Sequence, residues 1–494
     1  MDIKSFKLTN FKAFADTQRV QLKPITLLYG ANSSGKSSVI HSLLLAGQGC
    51  ATGEIDVHYT KIGGESVDLG GFNQYKHKDS QKPVDHVELA FEYNSHRSID
   101  EVIWSDCIKI KGDKGKNVNI SSYEHIYNPA NKVIFEQQNN KNIIKFDQFH
   151  LGYDLGRIMS DELKKYKKNR YDEYYRNVST MLTKDYNVRY ENLLPVLYSN
   201  NIGGIDHKIG RQDIRPGIKN PTTKLLMYFL EQYLDMVEAI RSTWMNDLQN
   251  MKYLGPLRSY PNRHIIYKGY RENKTNDSGN DAWEELFRRE MRDKVNHWLT
   301  SREKLQQKYR IEDSVLLPMR ETGDEGHYED DNEREVYQEL IFRSIDRNGT
   351  AESLLYHRDI GFGISQILPV LVYAYASNDK LIAIEQPEIH LHPAVQAELG
   401  DLFIETALGQ NKNTYLLESH SEHLLLRIMR RIRDTKRGTL PKGLLPIKPE
   451  DVNVLFVERI DDRSILREMP INEDGELVKT WPGGFFEEEL EELL

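Results

Sequence analysis

The sequence predicts an α/β fold in which helices flank a mixed or parallel sheet. Three short apolar runs, at residues 25–29, 381–384 and 414–417, indicate the central strands. The first run leads into a glycine-rich loop and then into a helical pattern over residues 38–46. The other two runs are continuously apolar, which is typical of strands that a sheet buries on both faces. We therefore expect a doubly wound sheet with its ligand at the carboxyl ends of the strands.

The glycine-rich loop reads Gly-Ala-Asn-Ser-Ser-Gly-Lys-Ser over residues 30–37, the G-x-x-x-x-G-K-S spacing of a phosphate-binding loop. Its glycines let backbone N–H groups turn inward, and the positive end of the following helix favours a negative charge. Lys36 can reach the β- and γ-phosphates, and the Ser37 hydroxyl can ligate Mg²⁺. The alternative, a glycine-rich turn without a ligand, is disfavoured by the strand before the loop and the helix after it. The candidate phosphate-binding residues are Gly30, Asn32, Ser33, Ser34, Gly35, Lys36, Ser37 and Ser38.

Composition narrows the class of protein. The 494 residues are enough for more than one domain, and the net charge of -9 gives no general attraction for nucleic acid, although a local basic patch could. Cys50 and Cys107, the only cysteines, exclude a disulfide framework and a cysteine zinc site. The N-terminus does not read as a signal peptide, and no apolar run is long enough to span a membrane. We expect a cytoplasmic protein.

The second half of the site is predicted where the later strands end. Glu385 directly follows the run 381–384, and a carboxylate at this position of a doubly wound sheet lies beside the phosphate loop. It could hold Mg²⁺ directly or through water. A second acid nearby, such as Glu388, could orient an attacking water. The alternating His390 and His392 could suggest zinc, but no third ligand stands at a suitable spacing.

Two further positions could contact phosphate. Residues 359–369 place glycines and Ser365 just before a helix, and a helix N-terminus attracts anions. His420 follows the run 414–417, where a histidine could hydrogen-bond the γ-phosphate rather than serve only a structural purpose.

The middle of the chain leaves more alternatives open. Residues 155–250 have a helical and charged pattern, and residues 222–250 predict one long amphipathic helix. The basic run 164–170, with tyrosines beside it, could bind nucleic acid or form a solvated helix face. Arg258 is either directed at phosphate or a structural ion-pair partner. The acidic residues 321–335 lack calcium-loop spacing, which favours a solvated loop.

The order of these motifs resembles the ABC-type ATPase heads of the SMC, Rad50 and RecF kind. It resembles the OLD-like ATPases (overcoming lysogenization defect) more closely. The tail, residues 475–486, is similar to an uncharacterised domain that closes many such bacterial ATPases. Between residues 95 and 340 the resemblance extends only to residues 255–258. The segments that carry it are Gly30–Ser37, Gly361–Gln366, Ile384–Pro393 and Glu418–Glu422.

The resemblance implies ATP and Mg²⁺ as cofactors. Ser37 and Glu385 would hold the metal, with Gln74 as a metal-sensing glutamine. Gly363 and Ser365 would form a signature that caps ATP bound to the opposite protomer, so two heads in a head-to-tail homodimer would enclose two ATP molecules. The catalytic residues implied are Lys36, Glu385, Gln386, Glu388 and the switch histidine His420.

One position departs from the resemblance. The family usually shows two successive acids here, the second being the catalytic base, whereas this chain has Gln386 after Glu385. We therefore expect a weak ATPase, with Glu388 as a substitute base, or a nucleotide switch without meaningful turnover. A glutamine can still orient water, because phosphoryl transfer depends mainly on positioning and charge stabilisation.

The resemblance also bears on partners. Long OLD proteins carry a C-terminal Toprim nuclease, but only 74 residues follow His420, where such a domain needs roughly 100. We expect no nuclease in this chain. The ATPase subunits of antiphage systems such as PARIS and Septu are of this kind, which implies an ATP-driven sensor and scaffold that controls a separately encoded effector, such as a nuclease, after a phage-derived trigger. The alternative is a RecF- or Rad50-like DNA maintenance ATPase, with nucleic acid as its partner.

These motifs divide the chain into four expected segments. Residues 1–95 form the first half of the head with the phosphate loop, and residues 341–435 the second half with the signature, the Walker B strand and the switch histidine. Residues 96–340 form a large insertion, strand-rich and then mainly helical, for oligomerisation or partner docking. Residues 436–494 form a small C-terminal domain.

Overall fold

A computed structural model gives the structure of the chain. The residues that it describes are 2–61, 66–79, 84–94, 103–112, 118–128, 131–138, 141–147, 186–202, 205–210, 221–256, 258, 266–267, 280–301, 309–316, 337–345, 351–355 and 362–482.

A six-stranded sheet carries the phosphate loop. From one edge to the other its strands are β12 (Lys252–Leu254), β17 (Leu381–Glu385), β18 (Thr414–Glu418), β3 (Ile25–Tyr29), β19 (Val452–Ile460) and β20 (Arg463–Glu468). The first five are parallel, and β20 returns antiparallel to β19. The predicted α/β fold is confirmed.

The sheet lies between two apolar layers because alternate residues of a strand point to opposite faces. Leu28, Leu416 and Leu455 belong to the core on one side, which includes helix α1 (Lys36–Thr52). The neighbouring residues Leu27 and Leu417 belong to the other core. Helices on that side are α4 (Asn280–Glu285), α5 (Arg289–Thr300), α6 (Phe362–Ala376), α7 (Pro393–Leu408) and α8 (Glu422–Arg437). Strands β3, β17 and β18 are almost wholly buried, as their apolar runs predict.

A second, antiparallel sheet covers the α1 side. Its order is β2 (Gln18–Gln21), β1 (Ile3–Thr9), β4 (His86–Asn94), β5 (Ile103–Gly112), β6 (Val118–Asn128), β7 (Asn131–Gln138) and β8 (Lys141–Asp147). Helix α3 (Pro221–Trp244), which continues as a π-helical turn over Met245–Gln249, packs into the same core. Asp247 in this turn accepts the backbone N–H groups of Asp2 and Ile3 at 2.7 and 2.9 Å and so anchors the start of β1.

The remaining elements form two smaller sheets and short helices. The larger of these sheets places β15 (Tyr337–Ile345) between β13 (Ile266–Tyr267) and β14 (Tyr309–Leu316), with β16 (Ala351–Leu355) also paired to β15. The other has the order β11 (Ile205–Lys208), β10 (Leu194–Ile202) and β9 (Tyr186–Glu191). Helix α2 is Phe72–Tyr75, and a 3-10 turn covers Pro449–Asp451.

The described part of the insertion carries more strand than helix. The expected strand-rich first part is present as β5 to β8 in the seven-stranded sheet, and residues 186–202 and 205–208, in the stretch expected to be helical, contain β9, β10 and β11. The expected amphipathic helix over 222–250 is present as α3 and its π-helical turn. The basic run 164–170 and the acidic residues 321–335 lie outside the described residues, as does most of the predicted helical stretch before residue 221.

Two strands from other expected segments join the head sheet. Strand β12 comes from the insertion, and β19 pairs directly with β3 although it belongs to residues 436–494. The segment boundaries remain predictions. Within the described residues no helix is both long and apolar enough to cross a membrane.

Candidate active site

The phosphate loop joins β3 to α1 in a conformation that requires its glycines. Gly30 and Gly35 have φ angles of 145° and 100°, a region that side chains rarely adopt. A Cβ atom at Gly30 would lie 2.4 Å from the Val457 carbonyl oxygen, and one at Gly35 would lie 2.6 Å from the Ala13 Cβ atom. No side chain caps the start of α1, so the N–H groups of its first turn can receive an anion. The loop therefore fits a phosphate group.

Lys36 lies folded over the loop that precedes it. Its side chain is 4% exposed, and its Nζ atom donates to the carbonyl oxygens of Gly30 and Ala31, each at 3.0 Å. Burial lowers the pKa of Lys36, while Glu418 opposes this shift. The lysine thus brings a buried positive charge to the position where the loop would hold phosphate.

The carboxylate that contacts the loop is Glu418, a residue that sequence reasoning did not select. Its Oε2 atom accepts from the Ser37 hydroxyl at 2.7 Å, and its Oε1 atom lies 3.9 Å from Lys36 Nζ. Strand β18 stands between β3 and β17, so its last residue is nearer to the loop than the last residue of β17. The available signal was that Glu418 follows an apolar run, just as Glu385 does.

Glu385, the predicted magnesium group, ends β17 one strand further away. Its Oε1 atom accepts from the Tyr253 hydroxyl at 2.9 Å and lies 3.4 Å from His41 Nε2. His41 Nδ1 is in turn 2.7 Å from Lys12 Nζ. Burial lowers the pKa of Lys12 to about 8. Tyr253, His41 and Lys12 were not selected from the sequence, because no motif marks them.

The charge of Glu385 acts on the Glu418 carboxyl group. Burial and the charge of Glu385 raise the pKa of Glu418 to about 7, with Ser37 and Lys36 opposing the shift. A divalent cation relieves such repulsion, and carboxylate and hydroxyl oxygens are ligands that Mg²⁺ prefers. The donor set of Ser37, Glu385 and Glu418 therefore fits Mg²⁺ beside a triphosphate.

The turn after β17 holds the candidate base positions. Gln386 has a φ angle of 47°, which is uncommon for a residue other than glycine, and its N–H donates to the Glu418 carbonyl oxygen at 2.7 Å. Glu388 is buried, and its Oε1 atom accepts the His420 N–H at 2.6 Å. Burial raises the pKa of Glu388. The role of Glu388 as a substitute base remains a prediction.

His420 lies beside Lys36 at the end of β18. Burial and the Lys36 charge lower the pKa of His420 to about 4. The imidazole is therefore neutral near pH 7, and it can exchange hydrogen bonds there without carrying a charge.

Arg258 has a structural arrangement. Its guanidinium donates to the carbonyl oxygens of Gln366 at 3.0 Å, Glu385 at 3.2 Å and Gln386 at 3.1 Å. These bonds tie the start of α6 to the turn after β17. The sequence left two alternatives for Arg258, contact with phosphate or a structural ion pair. These bonds favour a structural role, in which backbone carbonyl groups are the hydrogen-bond partners.

Of the two predicted signature residues, Gly363 lies against the turn after β17. A Cβ atom at Gly363 would meet the His390 carbonyl oxygen at 2.9 Å. Ser365 is 1% exposed, and its hydroxyl has no hydrogen-bond partner within the described residues. Their predicted contact with ATP on an opposite protomer remains a prediction.

His390 and His392, the alternating pair that could suggest zinc, directly precede helix α7. His392 caps α7, where its Nδ1 atom accepts the Ala394 N–H at 3.2 Å, and His390 is exposed. Across the described ranges, no three His, Cys, Asp or Glu residues group as a metal site would require.

A basic cavity of about 250 Å³ adjoins the loop. Gln74, the predicted metal-sensing residue, lines it and accepts from Lys78 Nζ at 2.8 Å. Lys12 also lines the cavity and connects it through His41 to Glu385. The other lining residues are Ala13, Lys76, His77, Arg459, Asp462 and Ser464.

Comparison with known proteins adds three findings. Solved structures to which this chain is similar include an SMC head bound to the C-winged helix domain of ScpA (10% identity, 95% of this chain and 98% of that chain, TM-score 0.41). They also include the SMC head domain from Thermotoga maritima (7% identity, 95% and 100%, TM-score 0.40). No curated protein matches. Residues 447–494 match a protein family of unknown function (DUF3696), and residues 1–425 match the family described as AAA ATPase domain. The chain belongs to the AAA ATPase domain family.

Proposed function

We propose that this protein binds ATP with Mg²⁺ at the loop of residues 30–37 and hydrolyses it slowly. The observation that carries the proposal is the convergence of Ser37, Lys36 and Glu418, with Glu385 on the next strand. In this proposal the ends of three adjacent strands together form a site for a cation and phosphate. Membership of the AAA ATPase domain family supports the same activity.

Each side chain has a defined task in this proposal. The N–H groups of the loop and Lys36 bind the phosphates, and Lys36 gives up its two bonds to loop carbonyls to do so. Ser37, Glu418 and Glu385 hold Mg²⁺, which when bound polarises phosphate oxygens. His420 stays neutral and offers a hydrogen bond rather than a charge.

We attribute slow hydrolysis to Gln386, which stands directly after Glu385 where an acid is expected. Gln386 can orient water but cannot accept its proton, and the Oε1 atom of Glu388 is already bonded to the His420 N–H at 2.6 Å. Restoring an acid at residue 386 should therefore raise turnover. We expect Gln386→Glu to increase kcat at least about tenfold, toward the contribution of general base catalysis.

The experiment measures phosphate release by the wild type, Lys36→Ala, Gln386→Glu and the control Gln410→Glu, which makes the same change at an exposed residue beyond α7. We expect weak turnover in the wild type, none with Lys36→Ala and a gain only with Gln386→Glu. Absence of ATP binding by the purified wild type would exclude the proposed function. A wild type that binds ATP without turning it over would instead favour the nucleotide switch.

The wider role that we propose is an ATP-gated sensor and scaffold in antiphage defence. Two heads would close around ATP as a homodimer and thereby control a separately encoded effector such as a nuclease. The support is the resemblance of the motifs at residues 30–37, 361–366, 384–393 and 418–422 to OLD-like ATPases.

Phage plating tests this role on cells that carry the gene with its native neighbours, or the same locus with Lys36→Ala. Restriction of plating by the wild type alone supports the defence role. No restriction across a broad phage panel would exclude it. Salt-dependent DNA binding by the protein alone would then favour the alternative of DNA maintenance.

A further inference from the structure

The last described hairpin of the chain reaches the phosphate loop. Strand β19 runs parallel to β3, with Val452 beside Ile25 and Phe456 beside Tyr29. Strand β3 ends at Tyr29, but β19 continues for four more residues and then turns into β20. The hairpin therefore passes beside the loop that begins at Gly30, although more than 400 residues separate the two in sequence.

Ser464 in β20 bonds directly to the loop. Its hydroxyl donates to the Ser34 carbonyl oxygen at 2.6 Å, and its N–H donates to the Ala13 carbonyl oxygen at 2.9 Å. The Ser464 side chain is buried, with 2% exposed. The cavity beside the loop is lined in part by this same residue.

The same segment also contacts the start of the loop. The Val457 carbonyl oxygen faces Gly30 so closely that no Cβ atom fits there. Trp481, further along the segment, packs its ring on Tyr29 and on Phe456, with 5.6 Å between ring centroids in each pair. Residues 457–481 thus contact the loop where it begins, at Gly30, and again at Ser34.

The bond from Ser464 constrains the orientation of one peptide group. In a trans peptide the C=O of one residue and the N–H of the next point in opposite directions. A hydroxyl that holds the Ser34 carbonyl toward the hairpin therefore directs the Gly35 N–H away from it. Gly35 has no Cβ atom to restrict its backbone, so a contact such as this helps to fix its conformation, which has a φ angle of 100°.

We propose that Ser464 is a positioning residue for nucleotide binding, and that residues 452–481 of the C-terminal segment serve as the support of the phosphate loop. The inference rests on the proposed binding of ATP by this loop. It assigns a task to a segment that matches only a family of unknown function. Ser464 pre-orients the loop N–H groups, so its loss is felt in affinity more than in the fold.

The test compares three variants of the full chain. Ser464→Ala removes the hydroxyl, and Ser464→Thr keeps one. Ser42→Ala is the matched control, because the buried Ser42 hydroxyl also bonds a backbone carbonyl, that of Val39 at 2.8 Å, away from the loop. The measurements are the Kd for a fluorescent ATP analogue with Mg²⁺, the unfolding temperature without nucleotide, and amide hydrogen exchange over residues 30–38.

We expect Ser464→Ala to raise Kd by about fivefold, the loss of one hydrogen bond, and to speed exchange in the loop. Ser464→Thr should restore Kd to within about twofold of the wild type. Ser42→Ala should lower the unfolding temperature as much as Ser464→Ala but leave Kd unchanged.

Two results would overturn the inference. One is a Ser464→Ala variant that binds as tightly as the wild type, and the other is a Ser42→Ala variant whose Kd rises equally. Lys36→Ala separates this failure from that of the proposed function. If the wild type binds the ATP analogue no better than Lys36→Ala does, both the proposed function and the positioning role are excluded. If the wild type binds better than Lys36→Ala, but Ser464→Ala binds as tightly as the wild type, only the positioning role is excluded.

Discussion

Glu418 offers a sharp test of the electrostatics of the site, through the change Glu418→Gln. The pKa of this carboxyl is raised from 4.5 to about 7, chiefly by burial and then by Glu385. A shift of this size corresponds to about 3 kcal/mol, because each unit of pKa is worth about 1.4 kcal/mol. The folded state holds the Glu418 proton more tightly than the unfolded state. The stability that this proton confers is complete below pH 4.5 and is lost as pH rises through 7.

Glutamine cannot ionise, so the variant avoids this loss. Without nucleotide or Mg²⁺, Glu418→Gln should match the wild type near pH 4.5 and exceed its stability by about 3 kcal/mol at pH 8. The affinity for ATP with Mg²⁺ should change in the opposite direction and weaken, because a metal ligand has been removed.

Urea denaturation at a series of pH values measures the difference between variant and wild type. Glu231→Gln is the control, since it removes the same charge from an exposed position of α3. A Glu418→Gln variant that is no more stable than the wild type at pH 8 would refute the reasoning. So would an equal gain at pH 4.5, because that gain could not come from ionisation.

Three further predictions concern single side chains. The pKa of His420 is lowered to about 4, so the folded state resists protonation and should lose stability as pH falls from 6.5 through 4. His420→Gln should therefore make the unfolding temperature depend less steeply on pH over this range. Asp106 is wholly buried and accepts from the Tyr123 hydroxyl at 2.5 Å and from His125 Nδ1 at 2.7 Å. Asp106→Ala should therefore lower the free energy of unfolding by about 3 kcal/mol in guanidinium denaturation, and Asp106→Asn by less. Asp401 in α7 accepts a hydrogen bond from Arg431 Nε in α8 at 2.7 Å. Asp401→Ala should therefore lower the free energy of unfolding by about 3 kcal/mol in guanidinium denaturation, because the Arg431 charge loses this partner. The double variant Asp401→Leu, Arg431→Met should recover part of this free energy.

The sequence by itself determined the local chemistry. The loop from Gly30 to Ser37 is contiguous, and its glycine spacing, the strand before it and the helix after it all depend on neighbours along the chain. The apolar runs 381–384 and 414–417 likewise predicted two buried strands, each followed by a glutamate. Features of this kind can be predicted from the sequence because the residues that determine them lie within one short segment.

The tertiary structure decided which of these acids meets the loop. Strand β18 follows β17 in the chain but inserts between β17 and β3, so Glu418 contacts Ser37 while Glu385 contacts Tyr253 and His41. Strand order is a property of how whole elements pack, and both apolar runs read alike in sequence. For the same reason no pattern singled out Ser464, an ordinary serine until β19 pairs with β3 and brings its hairpin to the phosphate loop.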